Sequence, residues 1–260
     1  MTLAVASEAD QAKMNHPAAS KATGLEPVTA PSQAATGGRG FAECLGYTRE
    51  ELDAIPQAAV DSFEGVGYCF DVAALQRGEH VADLGCGTGT DSFVAATKVG
   101  SEGRVVGIDI KEELLRKANE LRAAREFFHV EFFKADIEDT GLAAGSFDAI
   151  ISNGIVNLAA NKDEVFLEAA RLLKPGGRLA VSDIVTDFRP PEGVNLNATL
   201  WTAGIGGGLQ LDEYLEAIEA AGFRIVQMVR NPQCSDPNGG PARKQGTTSI
   251  SVEAVKLPAD

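Results

Sequence analysis

Basic residues are in short supply in this chain of 260 residues. Only 23 Lys and Arg stand against 37 Asp and Glu, giving a formal net charge of −14. Nucleic acid is therefore not an expected partner, because phosphate binding needs clustered Lys and Arg. An anionic membrane surface is disfavoured on the same ground. Long hydrophobic runs are missing too: no apolar stretch approaches the ~20 residues of a membrane span. The opening M-T-L-A-V-A-S-E-A-D has neither the basic leader nor the sustained apolar core of a signal peptide. Cysteine is sparse, four residues in no C-x-x-C pair, which argues against a disulfide framework. The three His and the Cys show no metal-ligand spacing, and no Ser–His–Asp or Cys–His arrangement stands out. These absences predict an acidic cytoplasmic protein with no metal site and no membrane partner.

What is present divides the chain in three. Residues 1–40 are rich in Ala, Ser, Thr, Gly and Pro, show little periodicity, and predict a flexible N-terminal tail. Residues 41–77 read as an arm or lid packing on the main body. Within it Thr48 and Glu51 have capping-box spacing for a helix over Arg49–Ala54, stopped by Pro56. Residues 78–260 form the main domain. Here apolar strand runs alternate with helical stripes: strands at His80–Leu84, Arg104–Asp109, Val130–Lys134, Phe147–Ser152 and Arg178–Asp183, and helices at Asp91–Val99, Lys111–Ala124 and Asp163–Leu173. Lys174-Pro175-Gly176-Gly177 reads as the turn closing the last of these helices. A helix at Asp212–Ala221 and late strands at Phe223–Val229 and Thr248–Val255 complete the pattern. The expected fold class is α/β, a Rossmann-like, mostly parallel sheet with helices on both faces.

The chemistry gathers at the carboxyl ends of the strands, where open parallel sheets bind ligands. The run D-L-G-C-G-T-G places Asp83 at the end of the first strand, followed by Gly85, Cys86, Gly87 and Gly89. Glycines there let a bound group approach the backbone. The spacing G-x-G-x-G differs from the G-x-G-x-x-G of dinucleotide folds. Asp109, ending the second strand, is placed to accept hydrogen bonds from paired ribose hydroxyls, with Ile110 beside it. Asp136 follows the third strand, placed for an adenine amino group, and Ile137 for the ring face. Asp83 is placed either to meet a cationic amine or to hold the loop. Cys86 reads as a small packing residue. A cofactor with an amine, a ribose and an adenine fits the set.

Together D-L-G-C-G-T-G, Asp109, A-D-I-E and L-L-K-P-G-G-R-L resemble class I S-adenosylmethionine-dependent methyltransferases. That resemblance implies seven strands in the order 3-2-1-4-5-7-6, the seventh antiparallel, and S-adenosylmethionine as cofactor. A wider resemblance, carried by G-Y-T-R-E-E-L, G-V-G, I-S-N-G-I-V-N-L, R-L-A-V-S-D-I-V and L-D-E-Y-L-E-A-I-E-A-A-G-F, is to the arsenite methyltransferase subfamily. It implies that Asn153 and Leu158 line the site. It also implies arsenic-binding cysteines at Val66, at Gly154 and near Gly204, and none of these is Cys. Trivalent arsenic is soft and needs thiolates, so the resemblance extends to the cofactor and not to this substrate.

Gly154 and Gly204–Gly208 instead open space, for an organic acceptor or for folding of the cofactor's own chain. Tyr68, Asn157, Asp183 and Trp201 are the candidates for the acceptor pocket. The expected activity is in-line methyl transfer to a small organic molecule. Two alternatives stand beside it: intramolecular displacement releasing methylthioadenosine, and cofactor binding without catalysis. The pattern assigns no oligomeric state.

Overall fold

The computed structural model describes residues 38–187, 209–232, 234 and 247–258. The tail up to residue 37, Trp201 and Gly204–Gly208 lie outside them, as does most of the turn-rich segment before the last strand.

Four short helices come first: α1 (Arg39–Leu45), α2 (Arg49–Ala54), α3 (Gln57–Asp61) and α4 (Phe70–Ala73). The capping box holds as read, with Glu51 N donating to Thr48 Oγ1 at 3.2 Å and Thr48 N to Glu51 Oε2 at 2.9 Å. The alternating body follows: β1 (His80–Leu84), α5 (Thr90–Val99), β2 (Arg104–Asp109), α6 (Glu112–Ala124), β3 (Val130–Lys134), β4 (Phe147–Asn153), a 3-10 turn at Val156–Leu158, α7 (Lys162–Leu172), β5 (Leu173–Thr186), α8 (Leu211–Ala220), β6 (Phe223–Arg230) and β7 (Thr247–Lys256). The described strands form one sheet in the order β3-β2-β1-β4-β5-β7-β6. Pairs among β1 to β5 are parallel, and β7 runs antiparallel between β5 and β6. The expected fold and strand order are those observed.

Side chains alternate across the sheet, and that alternation splits the core in two. Val81, Val105, Val130, Ala149 and Ile151 face α5 and the N-terminal arm. Ala82, Leu84, Val106, Ile108 and Ile150 face α7 and α8. The arm is part of the first layer: Leu45, Leu52, Ile55, Val60 and Phe63 are all buried against it. Each such side chain contributes roughly 1.5–3 kcal/mol of burial, so α1–α4 are held by the sheet and not by their own short lengths.

Two local readings need correction. Lys174–Gly177 does not close α7 outside the sheet; it lies within β5 as a bulge, where the register jumps from Phe147–Leu173 to Ala149–Arg178. Pro and Gly suit a bulge as well as a turn, so composition did not separate the two. The cysteines, read as forming no disulfide framework, include one pair: Cys44 of α1 is bonded to Cys234, beyond β6, across a separation of 190 residues. Cys69 and Cys86 are free and buried. No helix among the described residues is long and apolar enough to cross a membrane.

Candidate functional site

The cleft opens at the carboxyl ends of β1, β2 and β4, as two joined cavities of about 330 and 380 Å³. Gly85, Asp109, Ile110, Lys111, Ile155 and Leu158 line both. Gly85 N and Cys86 N donate to Ile108 O at 2.8 and 2.9 Å, which folds the glycine loop back over β2. Gly85 has φ +78°, and a Cβ there would lie 2.5 Å from the Ile155 side chain. Only glycine therefore fits between the strand end and the far wall.

Asp109 ties the loop to its own strand. Its Oδ2 accepts from Gly87 N at 2.9 Å and its Oδ1 from Lys111 N at 2.8 Å. A carboxylate oxygen has two lone pairs, so each retains one for a ligand hydroxyl. Ile110 and Leu158 are 61% and 44% exposed, large apolar surfaces left uncovered where a flat ring would be sandwiched. Asp136 and Ile137 line the same cavity. Asp136 Oδ1 accepts from Glu138 N at 3.0 Å, which fixes its direction.

The other cavity has an acidic wall. Asp83 and Asp91 both line it and both are buried. Ser92 Oγ donates to Asp83 Oδ2 at 2.6 Å. Asp91 accepts from the Tyr47 hydroxyl and, at 2.9 Å, from Asn153 Nδ2. Burial pushes both carboxyl groups above the usual range, and the neighbouring Asp91 pushes Asp83 further. For Asp91 the bonds from Tyr47 and Asn153 work the other way.

Asn153, at the end of β4, lines this cavity and also clamps the arm. Its Oδ1 accepts from Val66 N at 2.8 Å and Gly67 N at 3.2 Å, and its Nδ2 donates to Gly67 O at 3.0 Å. The G-V-G turn is thereby pressed onto the strand end. Gly154 has φ +78°, and a Cβ there would lie 3.2 Å from Val66 Cγ1. Two of the three positions where the family resemblance implies cysteines face each other, and they hold a valine and a glycine; the third, near Gly204, lies outside the described residues.

Three of the four acceptor-pocket candidates are placed elsewhere. The Tyr68 hydroxyl donates to Glu51 Oε1 at 2.6 Å and lies 3.3 Å from Lys98 Nζ, on the seam between α2 and α5. Asn157 and Asp183 bond each other, Nδ2 to Oδ1 at 2.7 Å and N to Oδ2 at 3.0 Å, because the 3-10 turn folds Asn157 inward over β5. None of the three lines the cleft formed by the described residues. Trp201 lies outside them. Asp91, Ser62, Lys111 and Ile155, which line the cleft, and Tyr47, bonded to Asp91, are among the residues that sequence reasoning missed. Asp91 carried a signal, two positions after Gly89 at the head of α5, but it read as an ordinary helix start.

Residues 75–222 match a protein family described as a methyltransferase domain. The chain belongs to the class I S-adenosylmethionine-dependent methyltransferases. It is 35% identical over 194 residues to an arsenite methyltransferase of Halobacterium salinarum, covering 75% of this chain and 49% of that one. It is 34% identical over 127 residues to an aklanonic acid methyltransferase of a Streptomyces species, 47% of this chain and 58% of that one. A crystal structure of an arsenic(III) S-adenosylmethionine methyltransferase from Chlamydomonas reinhardtii superposes with a TM-score of 0.67 at 27% identity, covering 81% and 73% of the two chains. The chain spans about half the length of the curated arsenite methyltransferases it matches. The residues present fit the family's cofactor: carboxyl groups line one end where a cation would sit, Asp109 has lone pairs for hydroxyls, and Ile110, Ile137 and Leu158 line the cavity where a ring would lie.

Proposed function

We propose that this methyltransferase transfers a methyl group to a small organic acceptor and not to arsenite. The observation that carries the reading is the lack of a thiol at the positions where the resemblance implies arsenic ligands, Val66 lying beside Gly154, which lines the cleft. The free thiols do not replace the missing ligands. Cys69 and Cys86 are buried, and burial pushes both thiols well above their ordinary range, disfavouring the thiolate a soft metalloid requires. No group of three His, Cys, Asp or Glu residues among those described is arranged to hold a metal ion. A related chain acting on aklanonic acid supports an organic acceptor.

When bound, S-adenosylmethionine supplies an electrophilic methyl group on a sulfonium. The chain's own contribution is placement and exclusion of water. Asp109 and Asp136 fix the ribose and adenine positions. Asp91 supplies negative charge at the methionine end with Asp83 beside it, and the acidic wall suits a cationic donor. Residues 41–77 act with the main domain as one unit, Ser62–Gly65 lining the cavity with the glycine loop and Ser62 Oγ lying 2.6 Å from Thr88 Oγ1.

The test is incubation of purified protein with S-adenosylmethionine alone, with arsenite, and with a panel of phenols and carbon acids, products being read by mass spectrometry. S-adenosylhomocysteine with a methylated organic product is expected, and no methylated arsenic. Methylarsenicals at comparable turnover would overturn the proposal. Methylthioadenosine from the cofactor alone would point to intramolecular displacement instead.

A further inference from the structure

The arm meets the cleft at one polar point. Tyr47 follows α1, and its ring is held edge-on by Phe63, Tyr68 and Phe70 at centroid distances of 5.0, 4.9 and 6.1 Å. Its buried hydroxyl donates to Asp91 Oδ1. The other oxygen, Oδ2, accepts from Asn153 Nδ2 at 2.9 Å, and Asn153 Nδ2 also reaches the Tyr47 hydroxyl at 3.2 Å. Asp91 is thus held from both sides by neutral donors while it lines the cavity. The side chains lining this cavity include four carboxyl groups (Glu64, Asp83, Asp91 and Asp109), and Lys111 is the cation among them. Lys111 lies beside Asp109, whose Oδ1 accepts from its backbone N–H. A buried carboxylate without a counter-charge is costly, and a ligand cation removes that cost.

We propose that Tyr47 is a positioning residue for the cofactor: its hydroxyl fixes the Asp91 carboxylate as the anionic partner of the ammonium group at the methionine end. This rests on the reading that the cleft binds S-adenosylmethionine. Of the two buried carboxyl groups, Asp91 is the better suited. Asp83 sits deeper and gains proton affinity from Asp91, whereas the bonds from Tyr47 and Asn153 favour the charged form of Asp91. The groups facing Asp91 are Tyr47 and Glu51 from the arm, Cys69 beside α4, Asp83 from β1 and Asn153 from β4. Glu51 raises its proton affinity, and Lys98 of α5 is bound to Glu51 at 2.5 Å. The arm is on this account a fixed component of the cofactor site.

Tyr47→Phe removes one oxygen and keeps the ring packing. Calorimetric affinities are to be measured from pH 5.5 to 8.5 for two probes: S-adenosylmethionine, and methylthioadenosine, which has the adenosine and lacks the ammonium and carboxylate. The expected result is about tenfold weaker S-adenosylmethionine binding near neutral pH, with methylthioadenosine changed less than about twofold. Without the hydroxyl Asp91 holds its proton to higher pH, so the deficit narrows as pH rises. Equal weakening of both probes, an unchanged affinity for S-adenosylmethionine, or a deficit independent of pH would each overturn the assignment. Wild-type protein that binds neither probe would defeat the cofactor reading itself, and this proposal with it. Asp91→Asn supplies the second variant. It should lose the same selectivity between the probes at every pH, and retention of that selectivity would count against Asp91.

Discussion

Asp183 accepts three hydrogen bonds, from Asn157 N, Asn157 Nδ2 and Ile184 N, in a site with almost no solvent. Burial nevertheless pushes its carboxyl group up to about 6. The folded state therefore holds a proton that the unfolded chain has released, and stability falls as pH rises from about 4 through 6. The loss amounts to about 3 kcal/mol at neutral pH. Asp183→Asn should flatten this part of the profile, which urea denaturation between pH 4 and 7 will measure; an unchanged slope would place the titration elsewhere. The same residue shows what single positions disclose. Its place on the fifth strand was legible, because the apolar run is a periodic feature, but the strand does not stop there and runs on to Thr186. Its direction was not legible. Asn157 turns inward through a 3-10 turn that has no periodicity, and its N and Nδ2 donate to Asp183. Tyr68 was misread for a related reason: one position along the turn after Gly67 decides whether a ring faces the cleft or Glu51.

Among the elements, the long helices and the strands other than β5 were legible to within a residue or two, since each carries a period of 2 or 3.6; β5 runs five residues earlier and three later than its apolar core Arg178–Asp183. The shortest helices were not legible. Helices α3 and α4, of five and four residues, are held by Val60, Phe70 and Val72 packing into the core beneath them. No local pattern announces that. The G-V-G turn is a similar case, since Gly65 would carry its Cβ 2.5 Å from Asn153 Nδ2. The close approach is a property of β4 and of the arm together. Asn153→Ala removes the bonds to Val66, Gly67 and Asp91 at once and leaves buried partners unsatisfied. A loss of roughly 2–4 kcal/mol is expected, together with faster hydrogen exchange at residues 65–68. Unaltered exchange there would show that the turn is held by the Ser249 bond to Val66 O instead.

At the scale of the molecule, sheet order came with the family resemblance and cofactor class with the glycine loop and acidic strand ends that carry it, while the covalent link between Cys44 and Cys234 left no trace in spacing. The two are 190 residues apart, and only the assembled fold brings them together. Strands β1–β6 lie between the linked cysteines and β7 lies beyond them. A closure of that length restricts the unfolded chain by about 5 kcal/mol in the chain-entropy account. Treatment with a dithiol should lower the melting temperature measurably, and Cys44→Ser should melt like the reduced wild type. Equal melting of oxidised and reduced protein would show that the link adds nothing. Cys44 is exposed, so ambient thiols can reach it, and disulfides persist only where the surroundings are oxidising. The link thus makes the survival of the whole fold answer to the thiol–disulfide balance of its compartment.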